Sequence, residues 1–90
     1  MNVVWTDRAE ADVLRHWLFP AQRNVPHAER VEARLREAGE LIGGFARIGR
    51  PVWRTTRDLS LPDIQYVVRY RLDEDAIRII SVRSTRENRS

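Results

Sequence analysis

The hydrophobic period changes once along this chain, and that change decides what it can fold into. Up to residue 42 the apolar residues recur three and four apart, and from residue 52 they alternate. Ala9, Val13 and Trp17, with Leu14 and Leu18, predict an amphipathic helix over 7–21. A short β-prone run, Val3-Val4-Trp5, precedes it, and Thr6-Asp7 supply a strand stop, an N-cap and an acid in the first turn. The polar stretch 22–25 breaks the pattern, and Pro26 suits the first helical residue of a second helix. There Ala28, Val31, Leu35, Ala38 and Ile42 mark one buried stripe, while Glu32 and Arg36 on the other face stand in the favourable i, i+4 order. Gly43-Gly44 are expected to end this helix in the left-handed cap position. Two helices joined by so short a link read as an antiparallel hairpin.

After the loop 45–51 the period of two predicts a strand over 52–61 and a turn at Leu61-Pro62-Asp63. The clearest strand of the chain follows over 64–72, then an acidic hairpin turn at Asp73-Glu74-Asp75 and a last strand over 76–83. In the middle strand Ile64, Tyr66, Val68, Tyr70 and Leu72 share one face, with Arg69 and Arg71 on the other. The ending 84–90 is polar and reads as a loose tail. The fold class is α+β: an N-terminal strand, an antiparallel helical hairpin packed on one sheet face, then a three-stranded antiparallel β-meander, all in one domain over 1–90.

Composition narrows the function. With no cysteine, disulfides and thiolate metal sites are excluded and a reducing cytoplasm is the expected setting; with His16 and His27 the only imidazoles, a zinc site is not expected either. No phosphate-cradling glycine loop occurs, so no cofactor is expected. No leader or membrane span is read from the apolar runs. All sixteen cations are arginines, against thirteen acids. A high-GC codon bias accounts for missing lysines as well as selection does, but the physical consequence is the same. Arginine forks grip carboxylates and phosphates, and a basic surface favours an acidic protein or a nucleic acid as partner.

Arg54 and Arg57 fall on the first meander strand, Arg69 and Arg71 on the second, Arg78 and Arg83 on the third, with Arg86 and Arg89 beyond. Like charges facing each other across strands destabilise a sheet unless something compensates. The set therefore reads as a binding face, with Arg54, Arg57, Arg69, Arg71, Arg83 and Arg86 the candidate contacts for a target or partner; a solvated sheet face is the alternative. His16 reads as an ordinary packing or surface histidine and His27 as a polar residue at a helix start. Trp5, Trp17 and Trp53 read as core or core-edge residues, with one of them at an interface as the alternative.

Several runs resemble the RelE/ParE toxin superfamily: 9–14 after the first strand, Phe45-Ala46-Arg47-Ile48-Gly49-Arg50-Pro51, Thr56-Arg57-Asp58-Leu59, 65–72 and 77–83. They occur in the family's βααβββ order and span nearly the whole chain. The resemblance implies a toxin of a type II toxin–antitoxin module, held inactive by a cognate protein antitoxin of ParD-like or similar type. RelE-like members are ribosome-dependent mRNA endonucleases that use lysines, arginines and a C-terminal tyrosine or histidine. Here lysine is absent, and no tyrosine or histidine follows Tyr70. Arg57 and Arg83 match the family's cation positions, but an acid and a base have no evident candidate, Glu87 being a poor one. The Gly49-Arg50-Pro51 loop and the Arg57-Asp58-Leu59 segment look more like ParE, whose members poison DNA gyrase. The ParE pattern commonly has a histidine where Ser84 or Thr85 stands here. The expectation is a ParE-like, non-enzymatic growth-arrest toxin. An mRNA interferase using Arg57 and Arg83 is the alternative, and a degenerate toxin that only binds its antitoxin is a third reading.

Overall fold

The computed structural model describes residues 1–88. Strand β1 (Val3–Trp5) leads into α1 (Asp7–Ala21) and α2 (Val25–Gly44), and then β2 (Arg50–Trp53), β3 (Thr56–Leu61), β4 (Tyr66–Leu72) and β5 (Ile77–Ser84) run antiparallel in sequence order. The sheet order is β1-β5-β4-β3-β2, with β1 parallel to β5. The α+β class and the helical hairpin are as expected, and both helix starts follow their caps; the end of α2 differs, since neither Gly43 nor Gly44 is left-handed and Phe45 caps the helix by donating its N–H to the Leu41 carbonyl. Thr6 Oγ1 accepts from the Ala9 N–H at 3.2 Å, and Asn24 Oδ1 accepts from the His27 N–H at 3.0 Å.

The sheet departs from the expected meander in three places. The segment 52–61 is not one strand: the chain reverses at Arg54-Thr55, giving the meander a fourth strand. Arg54 adopts φ 51° there, a left-handed conformation that an arginine does not advertise. The clearest strand starts at Tyr66 rather than Ile64, because the Ile64 and Gln65 N–H groups both donate to the Leu61 carbonyl, at 3.2 and 2.8 Å. The ending expected to be loose is ordered further than its polarity suggests. Ser84 is a buried residue of β5, and Thr85 opens a 3-10 turn over Thr85–Asn88 by donating to the Gln65 carbonyl at 2.9 Å. Arg89 and Ser90 lie outside the described residues.

The core lies between the hairpin and one sheet face, where Val13, Leu35 and Ile42 meet Val68, Tyr70 and Ile79. Trp5 packs at its edge, but Trp53, expected in or near the core, is 67% exposed on the edge strand β2. Tyr70 is fully buried, and its hydroxyl donates to the Ala46 carbonyl at 2.7 Å while accepting from the Gly49 N–H at 2.8 Å. Its one polar atom is thereby satisfied, and the loop before β2 is locked to the sheet.

Where β1 stops, α1 takes over the edge of β5. The register of β4 against β5 shifts between Arg69 and Tyr70, so β5 carries a bulge at Ile80. Before it Ile77 and Ile79 face the core; after it Val82 and Ser84 do. Thr6 bridges the bulge, its backbone N–H and Oγ1 both donating to the Ile79 carbonyl at 3.1 and 2.8 Å. Beyond it Asp12 Oδ2 accepts from the Val82 N–H at 2.9 Å, and His16 Nε2 stands 3.1 Å from the Val82 carbonyl. Asp12 and His16 are one helical turn apart, so a single helix face supplies an acceptor and a ring nitrogen where a sixth strand would supply a carbonyl and an N–H.

A Cβ on Gly49 would lie 2.7 Å from the Tyr70 hydroxyl and 3.0 Å from the Asp58 carbonyl. Gly49→Ala is expected to lower stability by about 1–3 kcal/mol through this overpacking. Gly44→Ala, with nothing within 4 Å of its Cβ, is expected to be neutral or slightly stabilising. Urea unfolding of the two variants checks the contrast.

Candidate functional site: an arginine cleft at the sheet edge

The uncovered sheet face is built around a buried carboxylate. Asp58 is 4% exposed, on the opposite face of β3 from the core. It pairs across the strands with Arg69, which donates to both its oxygens at 2.8 and 3.0 Å, and Arg83 reaches it at 3.4 Å from β5. Burial pushes the Asp58 carboxyl up, but the Arg69 hydrogen bond and charge, then those of Arg83, outweigh it and hold it below the usual carboxylate range. The bidentate geometry fixes the Arg69 fork in place.

Arg69 and Arg83 form one wall of a cleft of about 570 Å³, with Ser81 beside them. The other wall is the first half of α1: Arg8, Asp12 and Arg15. Arg8 and Arg15 are seven residues apart, hence on one helix face, and Arg15 pairs with Asp12 at 3.4 Å. Among the described residues the Arg8 side chain makes no hydrogen bond or ion pair. Four guanidiniums thus face a shared space with one lining carboxylate, which the Val82 N–H already engages.

The remaining candidate arginines separate into other places. Arg71 and Arg78 stand directly opposite each other on β4 and β5, the like-charge pairing that needs compensation. Asp73 provides it, accepting from Arg71 at 2.7 and 3.0 Å and from Arg78 at 2.8 Å, while Asp75 takes the rest of Arg78. Hydrogen bonds from Arg71, then Arg78, pull the Asp73 carboxyl down to about 2. Arg57 neighbours Tyr70 across the strands, on the core side of the sheet and therefore on the opposite face from Arg83. Its guanidinium donates to the Gly49 and Arg47 carbonyls at 2.6 and 3.2 Å, clamping the loop. Arg54 stacks over Trp53 at 4.8 Å at the β2–β3 tip, and Arg86 is exposed past β5.

The expected arginine face is therefore partly assembled. Arg69 and Arg83 meet, Arg71 is neutralised nearby, and Arg54, Arg57 and Arg86 lie elsewhere. Arg8 and Arg15 were not among the sequence candidates, because charges on an amphipathic helix read as its solvated face. His16 is buried and packs edge-on against Tyr66 at 4.8 Å, and His27 is exposed at the start of α2. Burial pushes the Tyr70 hydroxyl up against the opposing Gly49 hydrogen bond and Arg57 charge, the wrong direction for a general base. Among the described residues no group of three or more histidine, aspartate or glutamate side chains could hold a metal ion, and no helix is long and apolar enough to cross a membrane.

Residues 3–89 match the protein family described as the ParE toxin of the type II toxin–antitoxin system parDE. The chain is 31% identical over 82 residues to Toxin RelE2 of Caulobacter vibrioides, covering 91% of this chain and 92% of that protein. Its fold is similar to that in a solved structure of the chromosomal ParDE system from P. aeruginosa, with a TM-score of 0.83, 22% identity and coverage of 93% of this chain and 95% of that one.

Asp58 binds its proton more weakly folded than unfolded, so its ion pairs contribute stability above the unfolded carboxylate pKa and lose it as pH falls through the folded value. Thermal unfolding should therefore show stability dropping below about pH 4. Asp58→Asn should cost about 2 kcal/mol at pH 7, less than for a fully enclosed pair because Arg69 and Arg83 are each 35% exposed, and should flatten the acid limb.

Proposed function

The chain belongs to the ParE toxin family of type II toxin–antitoxin systems, and we propose that it arrests growth by gripping DNA gyrase rather than by cutting RNA. The observation that carries this reading is the separation of Arg57 from Arg83. Metal-free RNA cleavage needs cations, a base and an acid converging on one phosphate. Arg57 and Arg83, the two arginines at the family's cation positions, lie on opposite sheet faces, and Arg57 is spent on the Gly49 and Arg47 carbonyls. Tyr70 beside Arg57 is locked between Ala46 and Gly49. Arg69 and Arg83 sit instead over Asp58, a carboxylate held ionised by its partners, which suits a surface that holds charge in place better than one that passes protons.

In its inactive state the chain is held by a cognate antitoxin. Leu14 and Leu18, 57% and 49% exposed at i, i+4 on α1, form an apolar ridge beside a groove of about 330 Å³ between the helices, lined by Val13, Trp17, Glu32 and Arg36. An amphipathic antitoxin helix laid there would bury that ridge, and acids flanking it would meet nearby arginines and speed association in a salt-sensitive way. The setting is the cytoplasm, where both gyrase and antitoxin are met.

Purified protein titrated into a gyrase reaction should block supercoiling of relaxed plasmid and accumulate cleaved DNA. Gyrase left untouched, with mRNA cut on ribosomes, would reverse the assignment in favour of an interferase. Leu14→Glu, a change at an exposed position, should weaken antitoxin binding by tenfold or more with little change in melting temperature. Unchanged affinity would move the antitoxin off the helical ridge.

A further inference from the structure

We propose that the cleft between α1 and the β5 edge is a binding site for the phosphodiester backbone of nucleic acid, formed by Arg8 and Arg15 facing Arg69 and Arg83. The choice of DNA as the source rests on the gyrase reading; the phosphodiester chemistry follows from the cleft. Its four guanidiniums outnumber its carboxylates even when Asp58, beneath Arg69 and Arg83, is counted with the lining Asp12. A guanidinium has five N–H donors, of which Arg69 uses two and Arg83 one on Asp58, so both hold donors in reserve while being fixed in position. That fixing reduces the ordering cost of binding an anion.

The lining also selects the kind of anion. Among the described residues Val82 is the one apolar residue of the lining, its side chain turned into the core, and no aromatic ring lines the cleft. A peptide bound there would lack the buried anchors on which protein interfaces depend, and a base would have nothing to stack on. A sugar–phosphate strand needs neither. Arg8 and Arg15 are separated by roughly 10 Å along the α1 axis, so their two side chains can meet different phosphates of one strand. Such a contact holds DNA without reading its sequence.

The test is fluorescence anisotropy of a labelled 20-base-pair duplex with the antitoxin-free protein between about 50 and 200 mM salt. Wild type should bind with an affinity that falls steeply with salt. Arg8→Ala with Arg15→Ala should weaken binding at least tenfold and reduce the slope of log affinity against log salt by about two. Arg23→Ala with Arg30→Ala, which removes the same charge from exposed positions on the hairpin outside the cleft, should leave the slope near wild type. Arg15 touches the clasp on Val82, so Arg8→Glu is the second variant: the Arg8 side chain makes no bond among the described residues, and its reversal should weaken binding while circular dichroism is unchanged. No DNA binding, equal losses in the cleft and control pairs, or tighter binding of a poly-glutamate peptide than of DNA would each overturn the proposal. Gyrase poisoning that persists without DNA binding would sink the cleft and leave the gyrase reading standing. Cleft-dependent DNA binding by a protein that spares gyrase would do the reverse.

Discussion

The structure depends on how the exposed edge of β5 is closed. Only three residues of β1 pair with it, and past the Ile80 bulge its backbone would face solvent with an unpaired N–H and carbonyl at Val82. An open edge of that kind invites pairing with another chain. Asp12 and His16 close it from one face of α1, and Thr6 closes the bulge while capping the same helix. The helix is thus tied to the sheet edge by polar bonds as well as packed on the core by Ala9 and Val13. This attachment brings Arg8 and Arg15 alongside Arg69 and Arg83. The cleft is a consequence of the clasp.

A second constraint is the density of positive charge on a single antiparallel sheet. Arg71 directly opposite Arg78 would be destabilising alone, and Arg69 close to Arg83 nearly as much. Each pair shares an aspartate, Asp73 at the hairpin and Asp58 at the sheet centre. The arrangement neutralises charge where strands must pair and leaves it in excess at the β5 edge, where α1 adds two more arginines. That gradient concentrates the binding capacity of the face in the cleft.

Much of the fold was legible in the residues because it rests on periodicity and caps. Thr6 and Pro26 announce helix starts, and the stripe from Ala28 to Ile42 announces the buried face of α2. The β2–β3 reversal was hidden because its left-handed residue is Arg54 rather than glycine or asparagine, and Trp53 read as core because an aromatic in an alternating run normally packs inward. The Ile80 bulge was hidden because Ile79-Ile80 satisfies either strand phase. The site was half legible. Arg69 and Arg83 followed from strand alternation, but joining them to Arg8 and Arg15 needs the clasp of Asp12 and His16 on Val82, a contact across some seventy residues that no local pattern encodes. Arg57 was grouped with Arg83 by family position, and strand parity separates them.

The most direct measurement of this account is amide hydrogen exchange at Val82. If Asp12 and His16 close the β5 edge, the Val82 amide is protected nearly as strongly as the β4–β5 ladder, and Asp12→Ala selectively releases it while the Tyr70 amide stays protected. A Val82 amide that exchanges freely in the wild-type protein, or whose protection is unchanged in Asp12→Ala, would contradict the clasp and with it the placement of α1 that forms the cleft.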